Sequence, residues 1–155
     1  MANEIKELFG TPVTPAITMN GITNAAGRVC AQINNTTVRA NKYYVYWEVQ
    51  TGTTPTVGTI FKMYLIRRDA LTQNYDSDGI TSETDAAISV EPPNADLVGA
   101  MKVTASSDVD TFKDFILEDP GPAFALVFWN ATGATTHATG TNNELRLTPA
   151  TPEVQ

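Results

Sequence analysis

The run KYYVYWEVQ, residues 42–50, sets Tyr43, Val45, Trp47 and Val49 in alternation with Tyr44, Tyr46, Glu48 and Gln50. A two-residue period places successive side chains on opposite faces, as only a β-strand does, and aromatic and β-branched residues suit a pleated surface. The pattern predicts a central strand with one face in a core. From Pro15 onward, further short apolar or alternating runs recur between turn residues at spacings typical of sandwiches and barrels. Strands are expected near residues 16–20, 28–39, 42–50, 58–67, 86–90, 98–105, 110–117, 123–130 and 143–148. Phe61, Met63 and Leu65 share one face of the fourth of these, and Phe124, Leu126 and Phe128 one face of the eighth, with Val127 and Trp129 opposite. Together with the odd-numbered residues of 43–49 they form the predicted core.

The connections TGTTPTVGT (51–59), EPPN (91–94), EDPGP (118–122) and NATGATTHATGTNN (130–143) are built from turn formers. Glycine permits positive φ, proline presets φ, and asparagine bonds its own backbone. These signals predict an all-β fold, a two-sheet antiparallel sandwich of about eight strands, jelly-roll-like, with a closed barrel as the alternative the pattern also allows. Asn3 as a cap, Ile5, Leu8 and Phe9 at helical spacing, and Gly10 with Pro12 as a stop predict a short amphipathic helix at the N-terminus. A helix that short is marginal alone in water, so its apolar side needs a surface to dock on, either its own sandwich or a neighbouring chain. Ile5, Leu8 and Phe9 are thus the candidate partner-binding residues. The expected layout is an arm over residues 1–14, a sandwich over 15–149 and an extended tail over 150–155.

With 155 residues the chain is expected to be one domain, large enough to bury roughly 70% of its unfolded surface. A single cysteine, Cys30, rules out an intrachain disulfide and leaves stability to the core. The net charge of −7 argues against a phosphate-binding surface, so no nucleic acid is expected as a partner. The opening MANEIKELFG is acidic rather than apolar, and no window approaches the roughly 18 apolar residues of a membrane helix, so neither a signal peptide nor a membrane is expected.

Residues able to do chemistry are few. NYDSDGITSETD places Asn74, Asp76, Asp78, Gly79 and Asp85 at positions resembling an EF-hand loop. The terminal bidentate glutamate is missing, the flanks read as strand, and Asp-Gly is also a common hairpin turn, so a solvated acidic loop is the stronger expectation and no metal is assigned. Asp108, Asp110, Asp114, Glu118 and Asp119 offer carboxylates, but nothing in the sequence makes two of them face each other across a cleft as a glycosidase requires. His137 lies in a turn-rich loop with no second histidine for zinc or for a Cys30 nucleophile. Asn35-Thr36-Thr37 and Asn130-Ala131-Thr132 match the glycosylation sequon by composition. Arg67 and Arg68 suggest a strand-end salt bridge or subunit contact. Tyr44 and Tyr46, on the face away from Trp47, could stack on sugar rings, but more often such tyrosines cover a core edge or an interface. No catalytic residue, cofactor or metal is predicted, and the protein is expected not to be an enzyme.

The short NEIKELFG arm, the TGTTPTVGTIFKMYLIRRD segment, a Gly-Pro turn before AFALVFWNATG and the closing NNELRLTPATPEVQ resemble the layout of small virion structural proteins of tailed bacteriophages. The resemblance covers most of the chain in overall arrangement and carries no catalytic or ligand-binding residue with it. It implies a capsid decoration (cement) protein on the phage head, made in the bacterial cytoplasm and bound to the major capsid protein, working as a homo-oligomer with a trimer as the first expectation. A carbohydrate- or receptor-binding module of a tail or baseplate is the alternative.

Overall fold

A computed structural model describes residues 5–68, 80, 84–105 and 110–154. In chain order the strands are β1 (Ile5–Phe9), β2 (Ala26–Val29), β3 (Ile33–Asn34), β4 (Lys42–Gln50), β5 (Ile60–Arg68), β6 (Ala86–Ile88), β7 (Asp96–Lys102), β8 (Asp110–Glu118), β9 (Ala123–Ala131) and β10 (Glu144–Val154), with no helix among the described residues. Four of them form one sheet in the order β1-β10-β4-β8, and the others form a second in the order β6-β2-β9-β5-β7, with β3 also on β9. Every pairing is antiparallel. The pairs nest: β1 joins β10, β2 joins β9, β4 joins β8 and β5 joins β7, as in a long hairpin folded over on itself.

Alternation in β4 decides what lies between the sheets. Tyr43, Val45, Trp47 and Val49 are buried there with Phe61, Met63, Leu65, Phe124, Leu126 and Phe128, so all ten residues expected to face inward do so. Aromatic rings bridge the two layers, Tyr43 meeting Phe124 edge-on at 5.3 Å between centroids, while Phe61 and Phe128, 5.5 Å apart, are neighbours within the six-stranded sheet. Strand β9 is buried on both faces from Ala123 to Asn130. Its outer face is shared with β5, where Lys62 and Tyr64 both bond Glu91 of the segment before β7, Lys62 at 2.6 Å.

Three expectations are corrected. The predicted N-terminal helix is a strand, with Ile5 through Phe9 paired in register with Val154 through Ala150. A single helical turn is a costly nucleus, whereas the open edge of β10 offers these residues a ladder at once. Residues 16–20 form no ladder: Met19 is buried and Ile17 half-buried, but the segment lies against the core through contacts such as Ala31 N–H to Ala16 O at 2.8 Å. The expected strand over 28–39 is divided into β2 and β3 and ends at Asn34, because the Asn34 and Asn35 side chains accept bonds from the Thr36 and Ala40 N–H groups and bend the chain into a turn. At the other terminus β10 runs through Pro149 and Pro152 to Val154. Each proline removes a ladder donor, but the Pro149 carbonyl still accepts from Gly10 N at 2.9 Å.

Candidate functional site

The residues of β4 that do not face the core build the outer face of the four-stranded sheet. Register carries that face across neighbouring strands: Tyr44 stands opposite Ile116 and Thr148, Tyr46 opposite Asp114 and Arg146, and Glu48 opposite Phe112 and Glu144. Phe9 reaches the same face from β1, its ring 5.3 Å from that of Tyr44. Phe9 is 57% exposed, Ile116 51% and Phe112 66%. Such large apolar side chains leave a strip of oil-like surface on a flat, hydrogen-bonded support. A hollow of about 500 Å³ sits at its centre, lined by Tyr44, Tyr46, Asp114, Ile116, Arg146 and Thr148.

Polar bonds fix the aromatic rings in place. The Tyr44 hydroxyl donates to Glu7 Oε2 at 2.7 Å, and Lys42 Nζ donates to Glu7 Oε1 at 3.0 Å. The Tyr44 bond first, and the Lys42 bond second, hold the Glu7 carboxyl below its ordinary value. Tyr46 donates to Glu48 Oε2 at 2.5 Å, which pushes the Tyr46 phenol up to about 12. The Arg146 guanidinium lies 5.1 Å from the centroid of the Tyr46 ring, a cation–π contact. Chemically this face is suited to packing against a surface, with both phenols held protonated as donors at neutral pH.

The residues singled out by sequence are dispersed. Ile5 opens β1, opposite Val154. In a strand Leu8 and Phe9 lie on opposite sides, so the common apolar side expected of a helix does not exist; Leu8, 55% exposed, faces away from the Tyr44 side. Cys30 is buried, accepts a bond from Leu126 N at 3.2 Å, and its thiol is pushed up to about 12 by burial, which makes it inert packing. The two sequon asparagines are internal staples. Asn35 bonds the Ala40 and Gly121 carbonyls and accepts from the Tyr43 hydroxyl, while Asn130 bonds the Ile22 and Ala134 carbonyls. Neither side chain is offered to a glycosylating enzyme. Arg67 pairs with Asp96 at the end of β5, and Arg68 is buried against Gln32. His137 accepts from Thr139 N at its Nδ1.

Of the acidic loop, Asn74, Asp76, Asp78 and Gly79 lie outside the described residues, as does Asp108. Asp85 is bound to Arg28 at 2.7 Å and to Thr18. Burial works against its ionisation, but the Arg28 and Thr18 bonds outweigh that and hold the carboxyl low. Among the described residues no three His, Cys, Asp or Glu side chains come together in a metal-holding group. On β8, Asp110, Asp114 and Glu118 share the outward face with Phe112 and Ile116.

Sequence reasoning missed the contributions of β8 and β10 to this face. The signal was present in DTFKDFILE, where acids and large apolar residues alternate on one side, but such a mixed face matches neither the core pattern nor the solvent pattern. Compared with known proteins, the chain matches no family model, no curated protein and no solved structure.

Proposed function

We propose that this chain is a non-enzymatic structural protein that binds a protein surface through the outer face of its four-stranded sheet, and that it serves as a decoration (cement) protein on the head of a tailed bacteriophage. The observation that carries the reading is the exposed strip of Phe9, Ile116 and Phe112 around Tyr44. A flat aromatic and aliphatic surface with polar residues at its rim is what a protein interface requires. The nested strand pairing is the order of a jelly roll, an architecture used by capsid proteins and lectins alike. Fold alone does not select between them; the phage assignment rests on the resemblance in sequence layout. In this reading the partner is the major capsid protein, the working form is a homo-oligomer, first of all a trimer, and Phe9 contributes from β1.

The second reading, a carbohydrate- or receptor-binding module of a tail or baseplate, draws on the hollow between Tyr44 and Tyr46 with its polar rim. It ranks lower because Arg146 lies against the Tyr46 ring and Phe9 against Tyr44, leaving less free ring face for a sugar.

Quantitative mass spectrometry and negative-stain imaging of particles carrying this chain test the choice. A copy number comparable with that of the shell protein, with occupancy lost in Ile116→Ser while the isolated variant melts as the parent does, supports the head reading. A few copies at a tail tip, or none, overturns it and directs the next test to a glycan array.

A further inference from the structure

The two sheets have four edges, and three are guarded. β6 is only three residues long and β1 only five. β7 departs from regular pairing where β5 passes Met63 and Tyr64, and its Ala100 carbonyl accepts from Lys113 Nζ at 2.8 Å. Short strands, irregular pairing and inward charges are the devices that keep an edge from recruiting another strand. The fourth edge is neither short nor irregular, and the one lysine on its inward side, Lys113, is taken up by the Ala100 carbonyl of β7. β8 is nine residues long, pairs regularly with β4 over all nine, and has no strand on its other side among the described residues.

What the edge could recruit is restricted by its outward side chains: Asp110, Phe112, Asp114, Ile116 and Glu118, alternately acidic and apolar. A second copy fits poorly. If two β8 strands paired antiparallel with Phe112 opposite Ile116, Asp114 would face its own copy and Asp110 would face Glu118. Registers shifted to either side put a carboxylate opposite each apolar residue. Like charges directly opposed on a sheet are destabilising, whereas opposite charges and apolar pairs each add stability. Beside the edge, a groove of about 460 Å³ between β7 and β8, lined by Ala100, Lys102, Asp110, Thr111, Phe112 and Lys113, leaves room for the other side of an added strand.

We propose that the free edge of β8 accepts, by strand addition, an extended segment of a partner protein whose outward side chains alternate basic and apolar. Backbone bonds to the edge supply adhesion. Lysine or arginine opposite Asp110, Asp114 and Glu118, with aliphatic residues opposite Phe112 and Ile116, supplies the register. The inference rests on the reading of this face as protein-binding and adds the partner's chemistry.

The probe is the nine-residue peptide KTVTKTVTK, which presents lysine and valine in the required alternation in either strand direction, with ETVTETVTE as its charge-reversed counterpart. Each is titrated into the labelled full chain and followed by amide chemical shifts and hydrogen exchange. The lysine peptide is expected to shift and protect amides of residues 110–118, less so as salt is raised, and the glutamate peptide to leave them unchanged. Asp114→Lys should weaken the lysine peptide about tenfold and favour the glutamate peptide; Glu118→Lys is the second variant should the first fail to fold. Unchanged β8 amides at millimolar lysine peptide overturn the proposal, as do equal responses to both peptides or a free chain that dimerises through β8. If the peptide adds at β8 but the chain is absent from phage particles, the edge inference stands and the head reading falls. If particles carry the chain in many copies while β8 ignores the peptide, the reverse holds.

Discussion

The Trp47 indole stands edge-on to the Phe128 ring across the gap between the sheets, with centroids 6.0 Å apart and planes at 76°. Trp47 is wholly buried and its Nε1 has no hydrogen-bond partner, so the side chain holds by packing alone. Trp47→Ala is expected to cost about 3–5 kcal/mol through lost burial and the cavity left behind, a fall of about 10 °C in melting temperature for a chain of this length. Trp47→Phe should cost much less, because it keeps an edge-on ring and removes an unsatisfied donor. Thermal melts of the two variants check this; equal losses would mean that the indole N–H matters after all.

Gly27 lies in β2 opposite Trp129 of β9. A Cβ there would come within 2.3 Å of the Phe128 carbonyl oxygen and 2.8 Å of Trp129 Cε3, and a backbone oxygen cannot rotate away. Gly27→Ala should therefore destabilise by about 1–3 kcal/mol although alanine is the smallest possible addition. Chemical denaturation with an unchanged midpoint would show that β2 can shift outward.

The strands legible from sequence are those whose alternation is buried on one side by the same chain. β4 and the inward faces of β5 and β9 were readable because Tyr43, Trp47, Phe61, Phe124 and Phe128 all answer one constraint, exclusion from water. β1 was not, because the spacing of Ile5, Leu8 and Phe9 fits a helical turn, and what makes it a strand is a partner 141 residues or more away in sequence, Ala150 for Phe9. The end of β10 was obscured by Pro149 and Pro152, which locally oppose a ladder. The outer aromatic face was half legible: Tyr44 and Tyr46 stood out, but their neighbours Phe9, Ile116 and Arg146 come from three other strands, and only register assembles them. Non-local pairing of this kind leaves no mark in any short window of sequence.

Acid should weaken the fold by a route the carboxylates specify. Glu7, Asp85 and Glu91 each ionise more readily in the folded chain than at their ordinary values of 4.5, 3.8 and 4.5. A carboxyl with a lowered folded value contributes stability that is present above its unfolded value and is lost as pH falls through the folded one. Urea midpoints should thus be level near neutrality and decline below about pH 4.5. Asp85→Asn, which breaks the bond to Arg28, should cost about 1 kcal/mol at pH 7 and make the acid decline shallower. A variant that follows the parent's pH profile would show that the Arg28 pair contributes nothing.

Removing β1 separates its two roles. The strand covers the edge of β10 over the five pairs from Ile5–Val154 to Phe9–Ala150, and Glu7 and Phe9 hold the Tyr44 ring from its side. An independent arm would leave the melting temperature untouched when deleted; a strand of the sheet should not. Deleting residues 1–9 is expected to lower stability by about 1–3 kcal/mol, the range for a few edge hydrogen bonds and partly buried contacts, and to leave β10 as a new exposed edge prone to association. The core is intact, so the truncated chain should still fold, with Trp47 fluorescence as in the parent. Phe9→Ser isolates the surface role, since a serine at that position keeps the backbone ladder while removing the ring from the outer face. If it loses particle occupancy with a melting temperature close to the parent's, Phe9 acts at an interface. If both the deletion and Phe9→Ser melt like the parent and bind like it, β1 contributes neither to the sheet's stability nor to recognition, and the strand assignment at the N-terminus would have to be given up.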